Sequence, residues 1–274
     1  MKKWICLALA LALVWTCGAC SNDQEIKVTF FQAGKADAAV IQTKNAVIVV
    51  DTGLKKNGKE LVQALEDLGV TKIDALIISH FDKDHVGGAA AILNAFEVGS
   101  VYQSNYPKNS EEYTAYVQAL SDCGLRAQTV SETISWTLDG VSVTIDGPAE
   151  AVYDTDPSNN SSLIVSVTYG ENTILFAGDA EDSRIEEFLQ TYQRQEGKLI
   201  LKVPYHGHWQ DRLPDLLAAA VPDAAIIPCS KSEPEAEELD RTVSLLESLG
   251  AEVYLTRNGD ITLTCTTDSY RLAQ

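Results

Sequence analysis

The apolar run Ala75-Leu76-Ile77-Ile78 ends on Ser79-His80-Phe81-Asp82-Lys83-Asp84-His85-Val86-Gly87-Gly88, and an alanine-rich stretch follows. A buried strand, a tight turn and a helix in that order commit this part of the chain to an α/β unit. The turn carries two of the chain's four histidines; the others are His206 and His208. Imidazole and carboxylate in one turn are the donors that a divalent cation such as Zn²⁺ or Mn²⁺ takes. A merely solvated, charged turn is the alternative. The second histidine pair, set like the first after an apolar run, argues against it.

The beginning of the chain has a different character. Lys2-Lys3, the apolar run from Ile5 to Trp15 and the small residues Gly18-Ala19 before Cys20 form an export-leader pattern. The run is shorter than the roughly 20 residues that span a bilayer. The segment resembles a bacterial lipoprotein signal, which implies removal of residues 1–19 and lipidation of Cys20. Residues 20–25 would be a short tether and residues 26–274 the folded domain. The expected location is extracytoplasmic, held to a bacterial membrane by the lipid alone; simple secretion is the alternative. Such cleavage removes Lys2 and Lys3 and no acid, taking the formal charge from −18 to −20. A charge of that size repels polyanions at long range. The remaining Cys123, Cys229 and Cys265 are too few and too widely spaced for a disulfide framework and are expected as three buried thiols.

Along the domain, alternating residues predict strands over 26–31, 38–43, 46–50 and 98–103, and helices over 59–68, 86–96 and 111–122. Asp139-Gly140 predicts a hairpin turn between strands 136–138 and 141–145. After a polar loop over 154–162, strands 163–169 and 172–177 lead to Gly178-Asp179 and a helix over 181–192. Strand 199–203 then leads to Pro204-Tyr205-His206-Gly207-His208. A helix over 235–249 and strands 224–227, 252–256 and 260–266 complete the domain. Nothing in the composition marks a linker. Asp51, closing an apolar strand before Thr52-Gly53, reads either as a turn former or as a carboxylate that supports a metal ligand.

The motif His80-x-Asp82-x-Asp84-His85-x-Gly87-Gly88 resembles the signature of the metallo-β-lactamase superfamily, with Asp82 where a histidine is usual. That substitution resembles the soluble domain of ComEC-type competence proteins. Gln32-x-Gly34-x-x-Asp37-Ala38, Val50-Asp51-Thr52-Gly53, Asn160-Ser161-Ser162-Leu163, Ala177-Gly178-Asp179 and Lys202-Val203-Pro204-Tyr205-His206-Gly207 agree in order. The resemblance implies an αββα four-layer sandwich with two divalent ions. His80 and Asp82 would serve a first site, Asp84, His85 and His206 a second, and Asp179 would bridge. The third histidine of the first site should fall near Asn160, and Tyr205 stands where a histidine is frequent.

On this reading Asp84 would orient or deprotonate a water whose pKa the cation lowers from 15.7 to about 7. Asn160, Ser161 and Ser162 would donate to substrate, and Tyr205 or His208 would protonate the leaving group. The expected activity is a metal-dependent phosphodiesterase or nuclease on a small or polymeric phosphoester, nucleic acid included, with no protein partner evident. Lys35, Lys83, Lys202, Arg212 and Arg257 could form a short basic groove. A hydrolase of another envelope ester or amide, and a non-catalytic binding module on the same fold, stay open as alternatives.

Overall fold

A computed structural model describes residues 24–232 and 236–274. The expected leader, Cys20 and the tether up to residue 23 lie outside the described residues. Gln24 already belongs to the domain: its carbonyl accepts from the Tyr169 hydroxyl, and its side chain donates to Asp139 Oδ2 at 3.1 Å.

The first half opens as an antiparallel meander of β1 (Ile26–Phe30), β2 (Ala38–Gln42) and β3 (Val47–Thr52). It continues through α1 (Gly58–Asp67), β4 (Lys72–Ile78), α2 (Lys83–Val86), α3 (Ala89–Ala95), β5 (Glu97–Gln103), α4 (Glu111–Asp122) and β6 (Ala127–Thr129). Strands β3 to β6 run parallel. The second half repeats the plan. Antiparallel β7 (Ile134–Leu138), β8 (Val141–Asp146), β9 (Ile164–Tyr169) and β10 (Asn172–Phe176) come first, with α5 (Pro157–Asn160) between β8 and β9. Then α6 (Asp182–Thr191), β11 (Lys198–Lys202), α7 (Leu213–Ala220), β12 (Ala224–Ile227), α8 (Ala236–Ser248) and β13 (Glu252–Leu255) extend the sheet in parallel. The last hairpin, β14 (Ile261–Cys265) and β15 (Tyr270–Ala273), returns to the first sheet, where β14 pairs with β1.

The sheets are ordered β15-β14-β1-β2-β3-β4-β5-β6 and β13-β12-β11-β10-β9-β8-β7. Alternation along each strand fixes the layering. In β4, Ala75 and Ile77 face the other sheet, while Leu76 and Ile78 meet the helices. A strand buried on both faces needs an unbroken apolar run. Phe30 stacks on Phe176 across the central layer at 5.7 Å. Leu65, Ile92 and Tyr116 cover the outer face of the first sheet, and Ile185, Leu217 and Leu246 that of the second. The architecture is the αββα sandwich expected from the sequence.

Four elements differ from expectation, the first being α5, which forms inside the expected polar loop. The helix expected over 86–96 is two helices broken at Gly87-Gly88. There a Cβ on Gly87 would lie 2.2 Å from Lys83 O, and one on Gly88 would lie 2.3 Å from Thr52 O. The two glycines let the motif pack against the end of β3. Helix α7 and strand β15 were not expected. The first is apolar almost throughout and shows no polar stripe to mark it as a helix; the second is a short edge strand.

Candidate metal centre

The ligand-bearing loops leave the C-terminal ends of β3, β4, β10 and β11, and backbone bonds knit them together. Leu163 N donates to Ser79 O at 2.9 Å, Asp37 N to Asp84 O at 3.0 Å, and Tyr205 N to Gly178 O at 3.2 Å. Gly178 has φ 53°, and a Cβ there would approach Ser162 to 2.9 Å. Asp51, Tyr205 and His206 hold φ between 49° and 55° without being glycine. Strained backbone of this kind persists where the surroundings over-determine it, typically at functional sites.

Asp84, His85, Asp179 and His206 bring one ligand atom each within 4.8 Å of one another. Asp179 Oδ2 lies 3.2 Å from His85 Nε2 and 3.1 Å from His206 Nε2, and Asp84 Oδ2 lies 3.4 Å from His206 Nε2. His80, His85 and His206 each bury an Nε2, and Asp179 buries Oδ1, with no hydrogen-bond partner. Buried polar atoms are rarely left so. Two imidazoles and two carboxylates converging with unused lone pairs fit a divalent cation.

The histidines are held from behind. Asp51 Oδ2 meets His85 Nδ1 at 2.9 Å, while Asp51 accepts from Ser79 N at 2.8 Å and Ser79 Oγ at 2.7 Å. This is the supporting carboxylate anticipated for Asp51. Asp37 Oδ1 lies 3.3 Å from His206 Nδ1, an ion-pair distance without hydrogen-bond alignment. Asp37 is itself paired with buried Lys202, which donates to Gly178 O at 2.8 Å and lies 3.7 Å from Asp179 Oδ1. Sequence reasoning noted Asp37 only inside a motif and read Lys202 as a groove cation. Their partnership crosses from the first half to the second, and no local pattern carries it.

Charge organises the centre. Burial opposes protonation of His206, yet Asp179, with Asp37 and Asp84, raises it to about 10. His85 is likewise raised against burial by Asp179, Asp37 and Asp51. Burial also works against ionised Asp84 and Asp179, but the histidines hold both carboxyls below the usual range. His80 behaves oppositely: burial and the neighbouring His85 push it down to about 4. Protons on His85 and His206 thus balance the acids where a cation would, and metal binding must displace them.

Other expected residues are placed differently. Asp82 is 3.9 Å from His80 Nε2, but its Oδ1 is taken by Lys108 Nζ and Ser158 Oγ. Asn160, Ser161 and Ser162, expected to meet substrate, are almost fully buried and hold the loop instead. Asn160 Nδ2 donates to Thr155 O at 2.8 Å and its Oδ1 accepts from Arg184 N at 2.9 Å. Ser161 Oγ donates to Ser158 O, and Ser162 Oγ accepts from Asp179 N. His208 is buried and pairs with Glu238 at 3.4 Å, outside the ligand cluster. Tyr205 is half-buried; its ring is 5.1 Å from that of His208, and Lys35 Nζ lies 5.5 Å from it. The basic groove loses Lys202 to Asp37, and Arg212 is paired with Asp215 and Glu186. Cys123, expected buried, is exposed; Cys229 and Cys265 are buried, and none of the three is in a disulfide among the described residues.

Fully buried Arg184 was not singled out in the sequence. Its guanidinium binds Ser162 O, Asp146 and Glu187, pinning the segment behind the centre.

The chain is similar in sequence and fold to several known proteins. Recombination protein 2 of Haemophilus influenzae is 28% identical over 214 residues, 76% of this chain and 25% of that protein. Competence protein ComA of Neisseria gonorrhoeae is 25% identical over 227 residues, 82% of this chain and 30% of that protein. The chain thus spans only about a quarter to a third of these curated relatives. The crystal structure of the metallo-beta-lactamase fold protein YhfI from Bacillus subtilis shares the fold, with a TM-score of 0.56 at 13% identity. That match covers 90% of this chain and 99% of YhfI. The model of the metallo-beta-lactamase superfamily matches residues 32–231, which hold every candidate ligand described above, and the chain belongs to that superfamily.

Proposed function

We propose that this chain is a metal-dependent phosphoester hydrolase, a phosphodiesterase or nuclease, working outside the cytoplasm from a lipid anchor on Cys20. The observation that carries the reading is the convergence of Asp84, His85, Asp179 and His206 with unpartnered imidazole nitrogens at their centre. A divalent cation bound there supplies acidified water and stabilises developing negative charge.

The chain's own groups do the rest. The Asp84 side chain is 21% exposed, against 4% for Asp179, so it is the ligand-cluster carboxylate that a water can reach. Held ionised by His206, it accepts a hydrogen bond from that water and aims it at phosphorus. Asp51 and Asp37 fix the histidine rings, so the geometry is set before substrate arrives. As water adds to phosphorus and passes its proton to Asp84, the bond to the leaving oxygen breaks; Tyr205 at the rim delivers a proton to that oxygen and regains one from solvent, to which Asp84 returns its own.

The formal charge of −18 favours small phosphodiesters over long polyanions. Among the described residues no helix is long and apolar enough to cross a membrane. On this reading the anchor is lipid on Cys20, and Cys20→Ala should release the protein from the membrane fraction and abolish palmitate incorporation. For the chemistry, purified protein with Mn²⁺ or Zn²⁺ is expected to cleave bis-p-nitrophenyl phosphate faster than single-stranded DNA. His85→Ala should remove both activities. No turnover of either substrate with either metal overturns the assignment.

A further inference from the structure

The two halves of the His80–His85 motif are not built alike. Asp84 and His85 find Asp179 and His206, and the four form a complete donor set. His80 and Asp82 do not gather an equivalent one. His80 Nε2 is buried and without a hydrogen-bond partner, and Asp82 Oδ1, 3.9 Å away, already carries the Lys108 ammonium and the Ser158 hydroxyl. The position expected to supply a third donor is Asn160, and both ends of its amide are committed, to Thr155 O and to Arg184 N. A divalent site of N and O donors needs three or four of them. This half offers one imidazole and one carboxylate whose charge a lysine has balanced.

We propose that the centre holds a single divalent cation, on the Asp84–His85–Asp179–His206 side. The Lys108 ammonium, seated on Asp82, takes the place and charge of a second cation and receives an anionic oxygen of the substrate's phosphoryl group. Lys108 suits the task. Its side chain is 35% exposed, and it lines an open cleft with Asp82, Tyr106, Ser158 and Asn159. An ammonium is a compact point charge that binds phosphate oxygens without fixed geometry. Asp82 and Ser158 hold it at the rim, so the residue that departs from the superfamily's usual histidine positions a lysine instead of a metal. The inference rests on the phosphoester-hydrolase reading, and its test separates the two.

The purified full chain is equilibrated with excess Mn²⁺ or Zn²⁺ and desalted, its metal content is measured by mass spectrometry, and inorganic phosphate is titrated into the loaded protein by calorimetry. The expected content is about one equivalent, both in the unsubstituted protein and in Asp82→Asn. Phosphate affinity is expected to fall about tenfold or more in Lys108→Met, as for loss of one charge-assisted hydrogen bond. Lys108→Arg should retain it, and Asp82→Asn, which loosens the ammonium but leaves its charge in the cleft, should cost less than Lys108→Met. A merely structural ion pair would lower affinity equally in Lys108→Met and Asp82→Asn. Two equivalents of metal, falling to one in Asp82→Asn, overturn the inference and leave the hydrolase reading standing. Unchanged phosphate affinity in Lys108→Met overturns the role of the lysine. Less than half an equivalent of either metal overturns the hydrolase reading, and the inference with it.

Discussion

Lys202→Met removes a buried ammonium that faces the acids of the metal centre. Lys202 has a side chain only 3% exposed, pairs with Asp37 and approaches Asp179 to 3.7 Å. Methionine keeps the unbranched stem and most of the volume but leaves the Asp37 carboxylate, itself 8% exposed, without its cation. Removing one partner of a buried pair costs about 3–5 kcal/mol, because the remaining charge is stranded in a medium that solvates it poorly. For a domain of this size that corresponds to a fall in Tm of roughly 6–20 °C. A divalent cation that displaces the protons of His85 and His206 leaves the net charge of the centre unchanged, so the loss should be of similar size in EDTA and in Mn²⁺. Asp37→Asn added to Lys202→Met should restore most of the stability, since a neutral amide needs no counter-ion. The assay is urea unfolding followed by circular dichroism, with and without chelator. A loss below about 1 kcal/mol in EDTA, or no recovery in the double variant, would refute the electrostatic account of the pair.

Arg184→Met should cost about 3–5 kcal/mol in urea unfolding, because it strands the half-buried Asp146 and Glu187 and leaves Ser162 O without its donor; a loss under 1 kcal/mol would contradict that role. Stability of the metal-free protein should fall as pH rises above about 6.5. The raised His206, about 10 against 6.5 when unfolded, contributes in full below about 6.5, and that contribution is lost as pH rises towards 10. The depressed His80, about 4, costs stability as pH drops from about 6.5 to 4, while Glu181, raised to about 7, adds stability as pH drops from about 7 to 4.5, so this limb should be nearly level. Thermal melts across that range in EDTA check both limbs, and a profile flat from pH 6.5 to 10 would sink the first.

Much of the frame was legible because it is written locally. Apolar runs bounded by Gly, Asp and Asn marked the strands, and a strand buried on both faces cannot hide its pattern. The ligands sit where those runs stop, so His80, Asp84, His85, Asp179 and His206 could be named in advance. What escaped is what distant segments do to one another. Lys108 lies in the loop before α4, and no spacing ties it to Asp82. Lys202 looked like a groove cation until the fold seated it on Asp37. Asn160 looked like a substrate donor because an amide in a polar loop usually faces water; here α6 packs over it and Arg184 N takes its oxygen. The break at Gly87-Gly88 depends on the approach of Thr52 O, a contact made only once β3 and β4 are side by side.

The most direct test is an anomalous difference map from crystals of the protein grown with Mn²⁺. A single peak among Asp84, His85, Asp179 and His206, absent in Asp179→Asn, is the predicted result. Density for the cation anywhere else, or none at these four residues in a loaded crystal, would contradict the account.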